Sequence, residues 1–175
     1  MASREDLYQE AVRTHGAALN RIARAYELNP DKRRDLLQDI HMALWRSLES
    51  FDGRCSLRTW LYRVGHNVAT SHVVIDRRAS SRQLLSIDQI DITDPKSDVE
   101  ESAGRNLAVD RLMTLIHELR PLDRQLVMLF LEGVDAAAIG EITGISAGNV
   151  ATRIQTRIHR IKRILTTRFQ GGARS

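Results

Sequence analysis

The segment Gly140-x3-Gly144-x5-Val150 limits this chain more than any other feature. Two short helices can cross closely at a tight turn only where side chains leave room. Gly140 has no side chain, so it suits the crossing point. Gly144 can adopt the left-handed conformation that ends the first helix. Ile145 and Val150 then fold back onto Ile139 and Ile142, and Ser146 is placed to cap the second helix. The spacing therefore predicts a helix-turn-helix, with a short helix from Asp135 to Thr143 and a long one from Ser146 to about Phe169.

The long helix sorts its residues by face. At about 100° per residue, Val150, Ile154, Ile158, Ile161 and Leu165 fall within about 80° of arc. Asn149, Thr152, Thr156, His159, Arg160 and Arg163 lie opposite, with Arg153 and Arg157 on one flank. No Asp or Glu follows Glu141, although Arg153, Arg157, Arg160, Lys162, Arg163, Arg168 and Arg174 do. A merely solvated helix usually mixes signs, because each i,i+4 pair contributes about 0.2–0.5 kcal/mol. Short hydrogen-bonding residues followed by cations suit base edges first and phosphates afterwards. The face reads as a DNA-binding surface.

The rest of the chain is also expected to be helical. Only three prolines interrupt it, few runs alternate, and 42% of residues are apolar. The expected fold is all-α, with two small helical domains at residues 1–78 and 106–175 joined by a flexible acidic linker at 79–105. In the first, Ser3 starts a helix carrying Leu7, Ala11, Ala18, Leu19, Ile22 and Tyr26. Asn29-Pro30-Asp31 starts a second, with the stripe Leu37, Ile40, Leu44, Leu48 and Phe51. Ser56 starts a third, carrying Leu57, Leu61, Val64, Val68 and Ile75. The linker holds Asp88, Asp91, Asp94, Asp98, Glu100 and Glu101 around Pro95, and phosphate would repel it. Beyond it, Leu107, Leu112, Leu115, Ile116 and Leu119 suggest one helix stopped by Pro121, and Leu126, Val127, Leu129 and Phe130 a second that stops at Gly133.

Catalysis finds little support. The six histidines are scattered, Cys55 has no evident base, and no H-E-x-x-H, C-x-x-C or phosphate-cradling glycine loop occurs. No metal, cofactor or small-molecule substrate is expected. Met1 leads straight into Ser3-Arg4-Glu5-Asp6, without an apolar leader, and no run approaches the length of a membrane span. A soluble, cytoplasmic protein without membrane insertion is the expectation.

Two further segments carry function. Asp35-Leu36-Leu37-Gln38-Asp39 heads an amphipathic helix, where its acids either satisfy the helix dipole or receive a basic partner. Ser56-Leu57-Arg58-Thr59-Trp60-Leu61-Tyr62-Arg63-Val64-Gly65-His66-Asn67 mixes aromatics with Arg, His and Asn on one helix, followed by Arg77 and Arg78. Stacking surfaces interleaved with cations suit unpaired bases. An aromatic core helix with solvated arginines is the plainer alternative.

Found together upstream of a helix-turn-helix, these segments resemble the extracytoplasmic-function (ECF) group of the sigma-70 family. Asp35–Asp39 is similar to the D-L-x-Q-[ED] signature of region 2.2. Phe51-Asp52-Gly53 and Ser56–Arg63 are similar to the F-x-G…S-[FL]-R-T-W-L-Y-[RK] signature of regions 2.3 and 2.4. Leu119-Arg120-Pro121-Leu122-Asp123-Arg124, Glu132-Gly133 and Gly144-Ile145-Ser146 resemble region 4. The resemblance implies a sigma factor that binds core RNA polymerase and promotes promoter melting. Docking on the β′ coiled coil falls to Asp35, Gln38 and Asp39, with Leu36 and Ile40 nearby. Opening and holding the −10 element falls to Arg58, Trp60, Tyr62, Arg63, His66, Asn67, Arg77 and Arg78. Duplex −35 readout falls to Ser146, Asn149, Thr152, Arg153, Thr156, Arg157 and Arg160, with the β flap as a further contact. The linker would thread toward the polymerase active-site channel, and an anti-sigma factor is a further partner of such proteins. The sequence also departs from the family. Ser71, Val74 and Ile75 stand where arginines are frequent, and Gly148-Asn149-Val150-Ala151-Thr152-Arg153-Ile154-Gln155-Thr156 lacks a customary Lys and a customary Arg. A stand-alone helix-turn-helix repressor or activator is the rival reading, but it leaves both upstream segments unexplained.

Overall fold

A computed structural model describes residues 3–84 and 105–171, with side chains at 3–80 and 107–167. The acidic stretch of the expected linker lies outside the described residues. The first three α-helices begin where local chemistry supplies partners for their free N–H groups. Helix α1 (Arg4–Tyr26) opens on a capping box, in which the Ser3 hydroxyl accepts from the Asp6 N–H and Asp6 accepts from the Ser3 N–H. Helix α2 (Pro30–Ser47) opens on Asn29, whose side-chain oxygen accepts from the Asp31 and Lys32 N–H groups. A 3₁₀ turn (Leu48–Ser50) then leads to α3 (Leu57–Leu84), where the Ser56 hydroxyl accepts from the Thr59 N–H.

These three helices bury Ala11, Leu19, Ile22 and Tyr26 of α1 against Leu36, Ile40 and Leu44 of α2 and Leu61, Tyr62 and Ala69 of α3. The expected stripes hold, with two shifts. Leu36 replaces Leu37 as the fully buried residue at the head of α2, and Ile75 is 65% exposed. Helix α3 also runs six residues beyond the expected end at Arg78. Ala79 through Leu84 contain neither Gly nor Pro to stop it.

The second unit comprises α4 (Arg105–His117), α5 (Pro121–Leu131), α6 (Ala136–Thr143) and α7 (Ala147–Gly171). Leu126, Val127, Met128 and Leu129 of α5 pack against Ile139 and Ile142 of α6 and Val150, Ile154 and Ile161 of α7. Phe130, the next residue, is 46% exposed. The two units do not stand apart. Helices α4 and α5 lie against α1, α5 and α6 lie against α3, and the buried residues form one continuous cluster. Among the described residues no helix is long and apolar enough to cross a membrane.

The turn between α6 and α7 follows the glycine spacing. Gly144 has φ +76°, and its N–H donates to the Gly140 carbonyl at 2.8 Å. A methyl group on Gly140 would sit 2.7 Å from the Ile145 carbonyl oxygen, which belongs to backbone and cannot swing away. Replacing glycine by alanine inside a helix ordinarily raises stability by about 1 kcal/mol. Here the clash reverses the sign. Gly140→Ala should lower stability by about 1–3 kcal/mol, seen as a lower urea midpoint. A midpoint that stays or rises would show that the crossing has room.

Candidate nucleic-acid interface

On α2, Asp35, Gln38 and Asp39 are exposed and share a face, whereas Leu36 and Ile40 point inward and are fully buried. The two apolar residues hold the helix down and the three polar ones are presented to solvent. Met42, 42% exposed, and Arg46 extend the same face. Met42 lies outside the Asp35–Asp39 motif, and only its exposure adds it to this face. A groove of about 530 Å³ separates this face from α3, lined by Asp39, Met42, Arg46, Asn67, Ser71 and His72, among others. It brings Asp39 of the first segment beside Asn67 of the second.

The expected −10 residues divide over the faces of α3. Asn67, Arg77 and Arg78 are exposed. Trp60 is half-buried, donates from Nε1 to the Ser47 hydroxyl at 3.0 Å and meets Phe51 edge-on at 5.4 Å. Arg58, Tyr62 and Arg63 turn toward the second unit. Arg58 donates to the Glu132 backbone carbonyl and lies 5.6 Å from the Tyr62 ring. The Tyr62 hydroxyl donates to the Glu132 carboxylate at 3.3 Å, and Arg63 donates to the Glu141 carbonyl at 3.3 Å. His66 departs from expectation. It is 1% exposed and its Nδ1 lies 3.1 Å from the Tyr26 hydroxyl, so it serves the core and leaves the set of surface contacts.

Glu132, just past α5, is the hub of this contact. Arg21 of α1 donates to it from Nε at 2.5 Å and from the terminal nitrogen at 2.7 Å. Burial alone would raise its carboxyl. The Arg21 hydrogen bond and charge, with Tyr62 and Arg58, outweigh burial and hold it below the usual glutamate range. Nothing in the order of residues pairs Arg21 with Glu132, which are brought together only by packing of the two units.

Ser146, just before α7, and Asn149, Thr152, Thr156 and Arg160 on it are all exposed, as the helical sorting requires. The Thr152 and Thr156 hydroxyls donate to the carbonyls of Gly148 and Thr152 in their own helix. Arg153 and Arg157 differ. Arg153 Nε lies 3.3 Å from Oδ1 of Asp123, and a terminal nitrogen of Arg157 lies 2.9 Å from Oδ2. Asp123 stands at the start of α5 and its side chain is 2% exposed. Sequence reasoning placed it only as part of a family motif. Its signal was a charge three and four residues before Leu126 and Val127, on the buried stripe of a short helix.

Known proteins resemble this chain in sequence and in fold. The family model Sigma-70 region 2 matches residues 11–79, and the model Sigma-70, region 4 matches residues 110–165. The RNA polymerase sigma factor NccH of Alcaligenes xylosoxydans xylosoxydans is 25% identical over 171 residues, covering 93% of this chain and 87% of the relative. The ECF RNA polymerase sigma-E factor of Haemophilus influenzae is 27% identical over 130 residues, covering 69% of this chain and 67% of its own. In fold, the chain is similar to the sigma factor RpoE of Bartonella quintana, solved with the anti-sigma factor NepR. The TM-score is 0.71 at 21% identity, over 91% of this chain and 96% of the other.

The buried histidine gives the first unit a pH response. Burial pushes the His66 imidazole down to about 3 from its ordinary 6.5. Its folded value lies below the unfolded one, so its contribution is full above 6.5 and declines as pH falls toward 3. The decline approaches about 1.4 kcal/mol per pH unit. Burial also lowers His15, His41 and His117, which add to the slope. His66→Gln should flatten the fall in unfolding free energy between roughly pH 6 and pH 4 by close to one proton. A slope equal to wild type would assign the uptake to the other histidines.

Proposed function

The chain belongs to the sigma-70 family of RNA polymerase sigma factors, in the ECF group, and we propose how its surfaces divide the work of initiation. The observation that carries this reading is the sorting of charge onto separate exposed faces, acidic on α2 and cationic on α7. The face of Asp35, Gln38, Asp39 and Met42 docks on the β′ coiled coil of core polymerase, with Leu36 and Ile40 buried behind it. Residues 1–78 act as region 2, 79–105 as linker and 106–175 as region 4. Trp60, Asn67, Arg77 and Arg78 engage the −10 element directly. Exposed Ser146, Asn149, Thr152, Thr156 and Arg160, flanked by Arg153 and Arg157, enter the −35 groove.

The protein acts in the cytoplasm by binding rather than by catalysing a reaction of its own, and an anti-sigma protein is a further partner. A stand-alone regulator would need only α4–α7 and leaves the exposed acids of α2 without a task. The deciding experiment is transcription in vitro with core polymerase from the same genome. Failure to bind core, or to start transcripts at any promoter of that genome, would sink the assignment.

Two measurements refine it. Asp35→Lys combined with Asp39→Lys should weaken core binding by at least about tenfold, because like charges then meet across the interface. The circular dichroism spectrum should not change, since both side chains are exposed. Unchanged affinity would remove these two residues from the interface.

Arg58, Tyr62 and Arg63 reach DNA only after leaving Glu132 and Glu141, so core binding separates the two units on this reading. Glu132→Gln removes the charge that holds Arg21 and Tyr62. It should raise the affinity of the free protein for a single-stranded −10 oligonucleotide by about fivefold, the worth of one partly exposed charged hydrogen-bond pair. No gain would leave Tyr62 as a structural residue.

A further inference from the structure

Asp123 is buried, ionisable and remote in sequence from the helix it touches. Each of its two oxygens receives one arginine from successive turns of α7: Oδ1 takes Arg153 and Oδ2 takes Arg157. The arginine side chains remain 44% and 30% exposed, so each is pinned at one edge and open at the other. The edges differ. Arg153 spends its Nε, which leaves both terminal nitrogens, the planar fork that matches guanine O6 and N7 or two phosphate oxygens. Arg157 spends a terminal nitrogen and keeps a less complete fork. One carboxylate between two guanidiniums also leaves a net positive charge, so the flank stays attractive to phosphate.

We propose that Asp123 is a positioning residue for promoter readout: it holds Arg153 from behind, with the terminal fork of the guanidinium aimed at a base pair of the upstream element. The inference rests on the reading that α7 enters a DNA groove. A free arginine searches many rotamers, and its contact is then weak and indifferent to sequence. An arginine held by a buried carboxylate has one orientation, so only a base edge at the right place meets it. Asp123 itself never touches the base. Its contribution is therefore to discrimination, whereas cations such as Arg160 contribute to attraction.

The test uses holoenzyme assembled from the full chain and core polymerase, offered promoter duplexes randomised in the upstream element. Bound and unbound pools are sequenced, and total binding is measured separately on the unselected pool. Asp123→Asn should cut discrimination at one or two adjacent base pairs by about tenfold. Binding to the unselected pool should hold or rise, because a negative charge near phosphate has gone. Arg153→Lys keeps the charge but loses the fork, and should lose preference at the same base pairs. Combined with Asp123→Asn it should cause no further loss there. Asp123→Glu, which restores the carboxylate, should recover part of the preference.

Three results would overturn the inference. Preference could be unchanged in Asp123→Asn, or binding could fall equally on all sequences, as for a tie that only stabilises the fold. The two single variants could also lose preference at different base pairs. In each case a wild-type protein that still selects upstream sequences keeps the assignment of α7. A wild-type protein without any upstream preference would defeat both.

Discussion

Two neighbouring charges at the start of α5 tie the second unit together and to the first. Asp123 and Arg124 are 1% and 3% exposed, and removing an ion from water costs several kcal/mol unless partners replace the lost hydration. Asp123 is paired at both oxygens, whereas Arg124 hydrogen-bonds through one terminal nitrogen and leaves its other two nitrogens buried without a hydrogen-bond partner. Asp123 turns to α7 and takes Arg153 and Arg157. Arg124 donates to the carbonyls of His117 and Leu119 within its own unit and reaches the first through the Tyr26 ring, whose centre lies 4.9 Å away. Successive helical residues diverge by about 100°, so one turn of α5 can face both ways. Burial pushes the Tyr26 hydroxyl up to about 12, which keeps it a neutral hydrogen-bonding group beside His66.

Around that anchor the remaining ties become geometrically available. Arg24 pairs with Asp110, His117 lies 3.2 Å from the Ala25 carbonyl, and Arg21 closes on Glu132. The surface ties are individually modest. They matter because they share residues with the candidate DNA surface. Arg58 and Tyr62 stand on the same α3 as exposed Asn67, yet they spend their polar groups on the other unit. A single helix thus serves as a joint between units on one side and as a free surface on the other. This is why the expected −10 set does not form one patch.

Local chemistry was legible wherever a residue acts within its own turn or face. The caps at Ser3 and Asn29, the left-handed Gly144 and the inward rows of α1 and α7 follow from spacing alone. The motifs carried the family, because their residues are contiguous in the chain. What escaped were polar residues whose partners lie in distant helices. His66 reads as a nucleic-acid contact because imidazole suits one, and only the position of Tyr26 makes it core. Glu132 reads as a polar residue at a helix end, and Asp123 as a first-turn acid.

The sequence by itself determined the helices, the crossing of α6 on α7, the cationic face of α7 and membership in the sigma-70 family. Each depends on periodicities of a few residues or on motifs contiguous in the chain. Tertiary structure alone decided which charges are paired and which are free. Arg21 meets Glu132 across 111 positions, and Arg153 meets Asp123 across 30. Electrostatic attraction depends on distance in space and on the water removed between charges, and neither quantity is written in the order of residues.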